Sequence, residues 1–125
     1  MVRNRHRLVD IERLLPLKPL AFQVLLSLAD GDRHGYAITR DIGNRTHARM
    51  RIEPGNLYRS LSALLDDGII EESESRPAEA LDDERRRYYR LTPFGRQVAA
   101  AELTRLEELV ADARTKRWLP SRGQS

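Results

Sequence analysis

Three apolar-periodic segments, a short two-strand pattern split by a charged stretch, and one long segment with heptad spacing predict a mainly α chain with a small β-hairpin. Each element follows from its own residues. Leu17, Leu20, Phe22, Val24, Leu25, Leu26 and Leu28 make residues 17–30 densely apolar, with Pro19 in a first helical turn and Gly31 at the C-cap, so a buried helix is expected there. Beyond Asp30-Gly31-Asp32-Arg33, Ile38 and Ile42 stand four apart and mark a second, shorter helix from His34, ended by Gly43 and Asn44. Ala48 to Ile52 reads as a brief strand, and Glu53-Pro54-Gly55-Asn56 as a turn opening a third helix that runs to Gly68. Leu57, Leu61, Leu64 and Leu65 follow i, i+4, i+7, i+8, one stripe facing a core.

The period then changes. Ile69 to Glu74 is short and extended, and Arg87-Tyr88-Tyr89-Arg90-Leu91 alternates with Tyr89 and Leu91 on one face, giving two strands of a hairpin. Ser75 to Glu84 is too polar and too Pro-interrupted for a core strand and reads as a loop. Thr92 as N-cap and Pro93 at the first position start the last helix, where Ala99, Leu103, Leu106, Val110 and Ala113 recur at spacings of 4, 3, 4 and 3. The expected organisation is a basic segment over 1–16, with Leu8, Ile11, Leu14 and Leu15 available for a short helix at a dimer interface. A helical unit with its hairpin over 17–91 follows, its loop at about 75–86, then the long helix over 92–119 and a frayed tail over 120–125.

At 125 residues the chain suits one domain, which excludes most large enzyme folds. No apolar run approaches the ~18 residues of a membrane span and no signal-like stretch follows the basic start, so a cytoplasmic protein without a membrane partner is expected. The absence of cysteine excludes disulfides, thiol nucleophiles and zinc-thiolate sites. The three histidines, His6, His34 and His47, stand at no recognisable spacing to a nucleophile or carboxylate pair. No catalytic residue, metal site or cofactor is therefore expected, and the chain reads as no enzyme. Net charge is +3, but residues 1–65 carry +5 and residues 66–125 carry −2, so the basic half holds the three short helices. Arginine outnumbers lysine 20 to 2, which suits phosphate and guanine recognition; arginine-rich coding would give the same count.

Helix, helix, helix, hairpin is the order of a winged helix-turn-helix, with the charged loop where its wing belongs. At ~100° per residue the third helix turns its leucines inward and leaves Asn56, Arg59, Ser62 and Ala63 outward. A guanidinium and an amide beside small neighbours suit base edges on a groove floor, and Tyr58 on the flank suits a phosphate. Arg85, Arg86 and Arg87 are the DNA candidates of the wing, although Asp82-Asp83-Glu84 beside them also fits a salt-bridged stem or plain solvated charge.

Four ordered motifs make the chain resemble the PadR family of bacterial transcriptional regulators: Arg33-His34-Gly35-Tyr36-Ala37-Ile38, Pro54-Gly55-Asn56-Leu57-Tyr58, Leu65-Asp66-Asp67-Gly68-Ile69-Ile70-Glu71 and Arg85 to Gly95. The resemblance implies a dimeric repressor whose third helix enters the major groove of double-stranded DNA and whose wing touches backbone or minor groove. It also implies structural roles for Gly35, allowing close packing at a helix start, and for Tyr36, packing with its hydroxyl partnered. Asn56, where the family often has Thr, and the longer acidic wing depart from its pattern. One helix after Thr92 resembles the family's short form; its stripe of Ala99, Leu103, Leu106, Val110 and Ala113 reads as the homodimer interface, with packing against the chain's own first helix as the alternative. The competing reading is a winged-helix module that docks a protein through Leu103, Leu106 and Val110 and does not bind DNA. Between Phe94 and Trp118 no aromatic residue occurs, so an aromatic-lined pocket for planar drugs is not expected, and Trp118 is expected to cap the domain edge. The operator, the regulated genes and any small-molecule effector are not legible in the residues.

Overall fold

The computed structural model describes residues 11–73 and 87–120. Residues 11–14 are helical and lead through Pro16 to α1 (Pro19–Leu28). The remaining order is β1 (Arg33–His34), α2 (Gly35–Arg45), α3 (Pro54–Asp66), β2 (Ile70–Ser73), β3 (Tyr88–Leu91) and α4 (Pro93–Thr115). Val24, Leu25 and Leu28 of α1, Ile38 and Ile42 of α2, Leu57, Leu61 and Leu64 of α3, and Ile69, Ile70, Tyr89 and Val98 form one buried cluster. Ile11 belongs to that cluster, and Leu14 and Leu15 pack against it, within the same chain.

The sheet has three strands rather than the two expected, in the antiparallel order β1-β3-β2. The added strand, β1, pairs Arg33 with Tyr89 and His34 with Tyr88. This explains why Tyr88 and Tyr89 are both buried where alternation predicts one face in solvent. His34 stands opposite Tyr88, and the two rings meet edge to face at 5.2 Å.

Two further expectations are corrected at the end of α2. The helix does not stop at Gly43 but runs to Arg45, whose guanidinium donates to Asp41, to the side chain and carbonyl of Gln23, and to Ser27 Oγ. Ser27 Oγ in turn donates to Asp41 at 2.8 Å, so α1 and α2 share one polar network that offsets a mid-helix glycine. Burial pushes the Asp41 carboxyl up, but hydrogen bonds from Arg45 and Ser27 outweigh it and leave it below the usual carboxylate range. The strand expected at 48–52 is absent, because the chain reverses there. Ala48 N–H donates to Gly43 O, His47 N–H to Asn44 O, and both residues have positive φ. That is a Schellman turn built without glycine.

The end of α3 uses the same motif with the residue it favours. Gly68, at φ 72°, donates to Leu65 O and Ile69 donates to Leu64 O, so the backbone turns directly into β2. Thr92 then caps α4 by accepting from Gly95 N–H at 2.9 Å, and its hydroxyl donates to Gly68 O at 2.6 Å. Its own N–H donates to Ile69 O. A Cβ on Gly95 would stand 1.9 Å from that same Ile69 oxygen. The paired motifs Asp67-Gly68-Ile69 and Thr92-Pro93-Phe94-Gly95 are therefore two sides of one junction. Gly35 needs no such exception, since a Cβ there would meet only Leu57 Cδ2, at an ordinary 3.6 Å.

Candidate nucleic-acid interface

The interface is built on α3. Glu53 ends the extended approach, Pro54 occupies the first turn with no N–H to satisfy, and the residues read as a turn, Pro54 to Asn56, are helical. Leu57, Leu61 and Leu64 are buried, Leu65 is half-buried, and Asn56, Tyr58, Arg59, Ser62 and Ala63 are exposed. Amphipathic spacing alone fixes this division. Arg59 donates to the Asn56 side-chain oxygen three residues back, so the amide and the guanidinium form a single polar unit at the helix start. Its Nη1 lies over Gly55, where a Cβ would meet it at 3.4 Å. Four of the five guanidinium donors remain for other acceptors. Tyr58 is 65% exposed.

Tyr36 was expected to pack; instead it is 65% exposed. It lies parallel to the His34 ring with centroids 6.3 Å apart, and the Arg40 guanidinium sits 5.8 Å from its own ring centroid. His34 is the N-cap of α2, its Nδ1 accepting from Ala37 N–H. Residue type gave no means of finding Tyr36 as a surface group, because an aromatic ring at a helix start reads as core until the neighbours are placed.

Of the wing arginines, Arg85 and Arg86 and the loop over 74–86 lie outside the described residues. Arg87 is exposed and pairs with Glu72 at 3.4 Å, and Arg90 with Glu71 at 2.8 Å, so the base of the hairpin carries cross-strand ion pairs. Tyr89, between them, has its hydroxyl pushed up by burial and by Glu72.

On α4 the buried residues are confined to Gly95, Val98 and Glu102. Ala99 packs against the core, Leu106 and Ala113 are half-buried, and Leu103 and Val110 are exposed together with Leu109, which the heptad did not include. Glu102 is 2% exposed; it accepts the Leu17 N–H at 2.8 Å and pairs with Arg105 at 2.5 Å. The Arg105 hydrogen bond holds its carboxyl below the usual range against the opposing effect of burial, with the Leu17 N–H adding to the lowering. Trp118 does not cap the domain edge: it is 80% exposed, just past the end of α4. Among the described residues no three His, Asp or Glu side chains are grouped as a metal site would need, and no helix is long and apolar enough to cross a membrane.

Comparison with known proteins agrees with this geometry. The model of the transcriptional regulator PadR-like family matches residues 24–101. The chain is 35% identical over 89 residues to Transcriptional regulator Rv3488 of Mycobacterium tuberculosis, covering 71% of this chain and 77% of that protein. Among solved structures it resembles a transcriptional regulator from Clostridium thermocellum, with a TM-score of 0.63 at 24% identity over 81% of this chain and 90% of the other. It also resembles Bacillus subtilis PadR in complex with operator DNA, with a TM-score of 0.58 at 24% identity over 70% of this chain and 48% of the other. Those two likenesses concern the winged-helix fold.

Proposed function

From the premise that this chain belongs to the PadR-like family of transcriptional regulators, we propose that it is a repressor that binds a pseudo-palindromic operator as a homodimer. The observation that carries this is the outer face of α3, where Asn56, Tyr58, Arg59, Ser62 and Ala63 are all exposed while the leucines between them hold the helix to the core. In the major groove, Arg59 and Asn56 supply the donors and acceptor that read base edges, Ser62 and Ala63 allow close approach, and Tyr58 reaches a phosphate. Arg85, Arg86 and Arg87 are assigned to the backbone beside the wing.

The apolar face of α4, with Ala99, Leu103, Leu106, Val110 and Ala113, is assigned to the second copy. Two-fold pairing there would set two α3 helices about one DNA turn, ~34 Å, apart. The chain acts by binding rather than catalysis, and its effector, if it has one, is not a planar aromatic cation, because α4 offers no ring between Phe94 and Trp118 on which to stack it.

A mobility-shift titration on the chain's own upstream DNA, followed by footprinting, tests the reading. We expect a protected site with two like halves. A footprint of one half only would remove the homodimer, and no shift at low salt would favour a module that docks protein through α4.

A further inference from the structure

Two arginines that the sequence reading passed over stand in front of α3. The loop from α2 to α3 forms a shallow open depression lined by Arg45, Thr46, His47, Arg49, Met50 and Arg51. Arg45 is committed to Asp41, Gln23 and Ser27 and braces its edge. The Arg49 and Arg51 side chains are exposed and, among the described residues, engaged in no hydrogen bond or ion pair, Glu53 just downstream included. Among the described residues, the neighbouring arginines of α2, α3 and the hairpin have intramolecular partners: Arg59 with Asn56, Arg40 over Tyr36, Arg87 with Glu72 and Arg90 with Glu71.

The loop's backbone is also unusual. His47 and Ala48 both take the left-handed conformation, at φ 53° and 62°, which is strained for a non-glycine residue. His47, Ala48 and Arg49 N–H donate within the turn, and Met50 N–H faces Thr46 Oγ1 at 3.4 Å, so the loop offers an anion side chains rather than a backbone cradle. Ile52 is packed against the core, which anchors the loop's far side. Arg51 lies three residues before Pro54, within ~10 Å of the first turn of α3 even for extended chain. That is less than the ~12 Å width of a major groove. A helix whose first turn reads the groove floor therefore keeps Arg51, and Arg49 two residues before it, within reach of the groove wall, where the phosphates are.

We propose that Arg49 and Arg51 form a DNA-backbone clamp at the start of α3, holding phosphates of the groove wall and supplying affinity without sequence preference. The clamp rests on the DNA-binding reading above and adds to it a division of labour. The paired arginines at the hairpin base would have to give up Glu71 and Glu72 to do the same work, whereas Arg49 and Arg51 give up only water.

The full chain, wild type and Arg49→Ala/Arg51→Ala, is titrated by fluorescence anisotropy over a range of salt. The probes are a duplex enriched by the wild type from a random pool and a random duplex of equal length. Circular dichroism confirms that the variant is folded, as expected for two exposed positions. We expect the slope of log affinity against log salt to become shallower by about 3.6, at ~0.9 per phosphate contact for two arginines in each copy of the dimer, with equal fold losses on both duplexes. An Arg49→Lys/Arg51→Lys variant should restore the slope, since a point charge suffices to displace counterions. An unchanged slope in the alanine variant, or a loss confined to the enriched duplex, would overturn the clamp alone. If the wild type bound neither duplex at low salt, the DNA-binding reading would fall and the clamp with it.

Discussion

Helices α3 and α4 are both amphipathic, yet they end in opposite relations to the rest of the chain. The 13 residues of α3 bury their leucine stripe at Leu57, Leu61 and Leu64 and leave polar side chains outside. The 23 residues of α4 bury only Gly95, Val98 and Glu102, so among the described residues none buries the helix after its first three turns, and Leu103, Leu109 and Val110 stay exposed. At 1.5 Å per residue the part beyond Glu102 extends ~20 Å. A polar outer face asks for a polar partner and an apolar one for another apolar surface, so the contrast separates a face suited to DNA from a face suited to a second protein chain.

The attached end of α4 is where the comparison breaks most severely. Gly95→Ala drives a methyl group into the backbone of Ile69, whose oxygen also accepts from Thr92. We expect a loss of about 3 kcal/mol in a urea melt, the cost of overpacking a rigid junction. A variant with wild-type stability would mean that the junction yields.

Leu106→Glu acts on the projecting part. It should leave the melt within ~1 kcal/mol and raise the dimer dissociation constant by at least about a hundredfold, ~2.7 kcal/mol, yielding folded monomers in sedimentation velocity. An unchanged dimer would take the interface away from this helix. On α3, Arg59→Ala should cost ~1–3 kcal/mol on the enriched duplex and much less on random DNA, the reverse of the even loss expected for Arg49 and Arg51. Equal losses on the two duplexes would make Arg59 a backbone contact.

Periodicity made α3 legible, because a single face is buried and the spacing records it, while a dense apolar run marked α1, a heptad spacing marked α4 and short extended runs marked the hairpin. The Thr92 cap was legible too, since a hydroxyl followed by proline has few other uses. What escaped was settled by contacts between elements. β1 is two residues long, too short for any period, and exists because Tyr88 and Tyr89 of β3 lie beside it. Gly43 reads as a stop, but Arg45 reaches back to α1 and keeps the helix going. Ala48 to Ile52 alternates like a strand, and the two carbonyls left open at the end of α2 fold it into a turn instead. At the interface the outward residues of α3 were readable from its leucines, whereas Tyr36, Arg49 and Arg51 gained meaning only once each was seen to be exposed. Trp118, apolar and beside a long helix, looked like a cap and is among the most exposed side chains.

The smallest effect concerns the boundary between the two halves of α4, where Glu102 is the last buried residue. Its carboxylate ties the N-terminal approach to the helix through the Leu17 N–H and holds Arg105 beside it. Because its folded pKa lies below the unfolded value of about 4.3, it contributes stability above that value and loses the contribution as pH falls through the folded one. Asp41 is lowered in the same direction, so the wild type should lose stability on acidification through both groups. Glu102→Gln keeps an oxygen for the Leu17 N–H and removes the charge facing Arg105. We expect it to be less stable by roughly 1 kcal/mol at pH 7, the difference between a charged and a neutral hydrogen bond, and to converge on the wild type as pH falls through the folded pKa and the native carboxyl is protonated. Urea midpoints collected from pH 7 to pH 3 give both curves. Parallel acid limbs would show that Glu102 stays charged or stays uncoupled from folding over that range, and would move the acid sensitivity to the Asp41 network between α1 and α2.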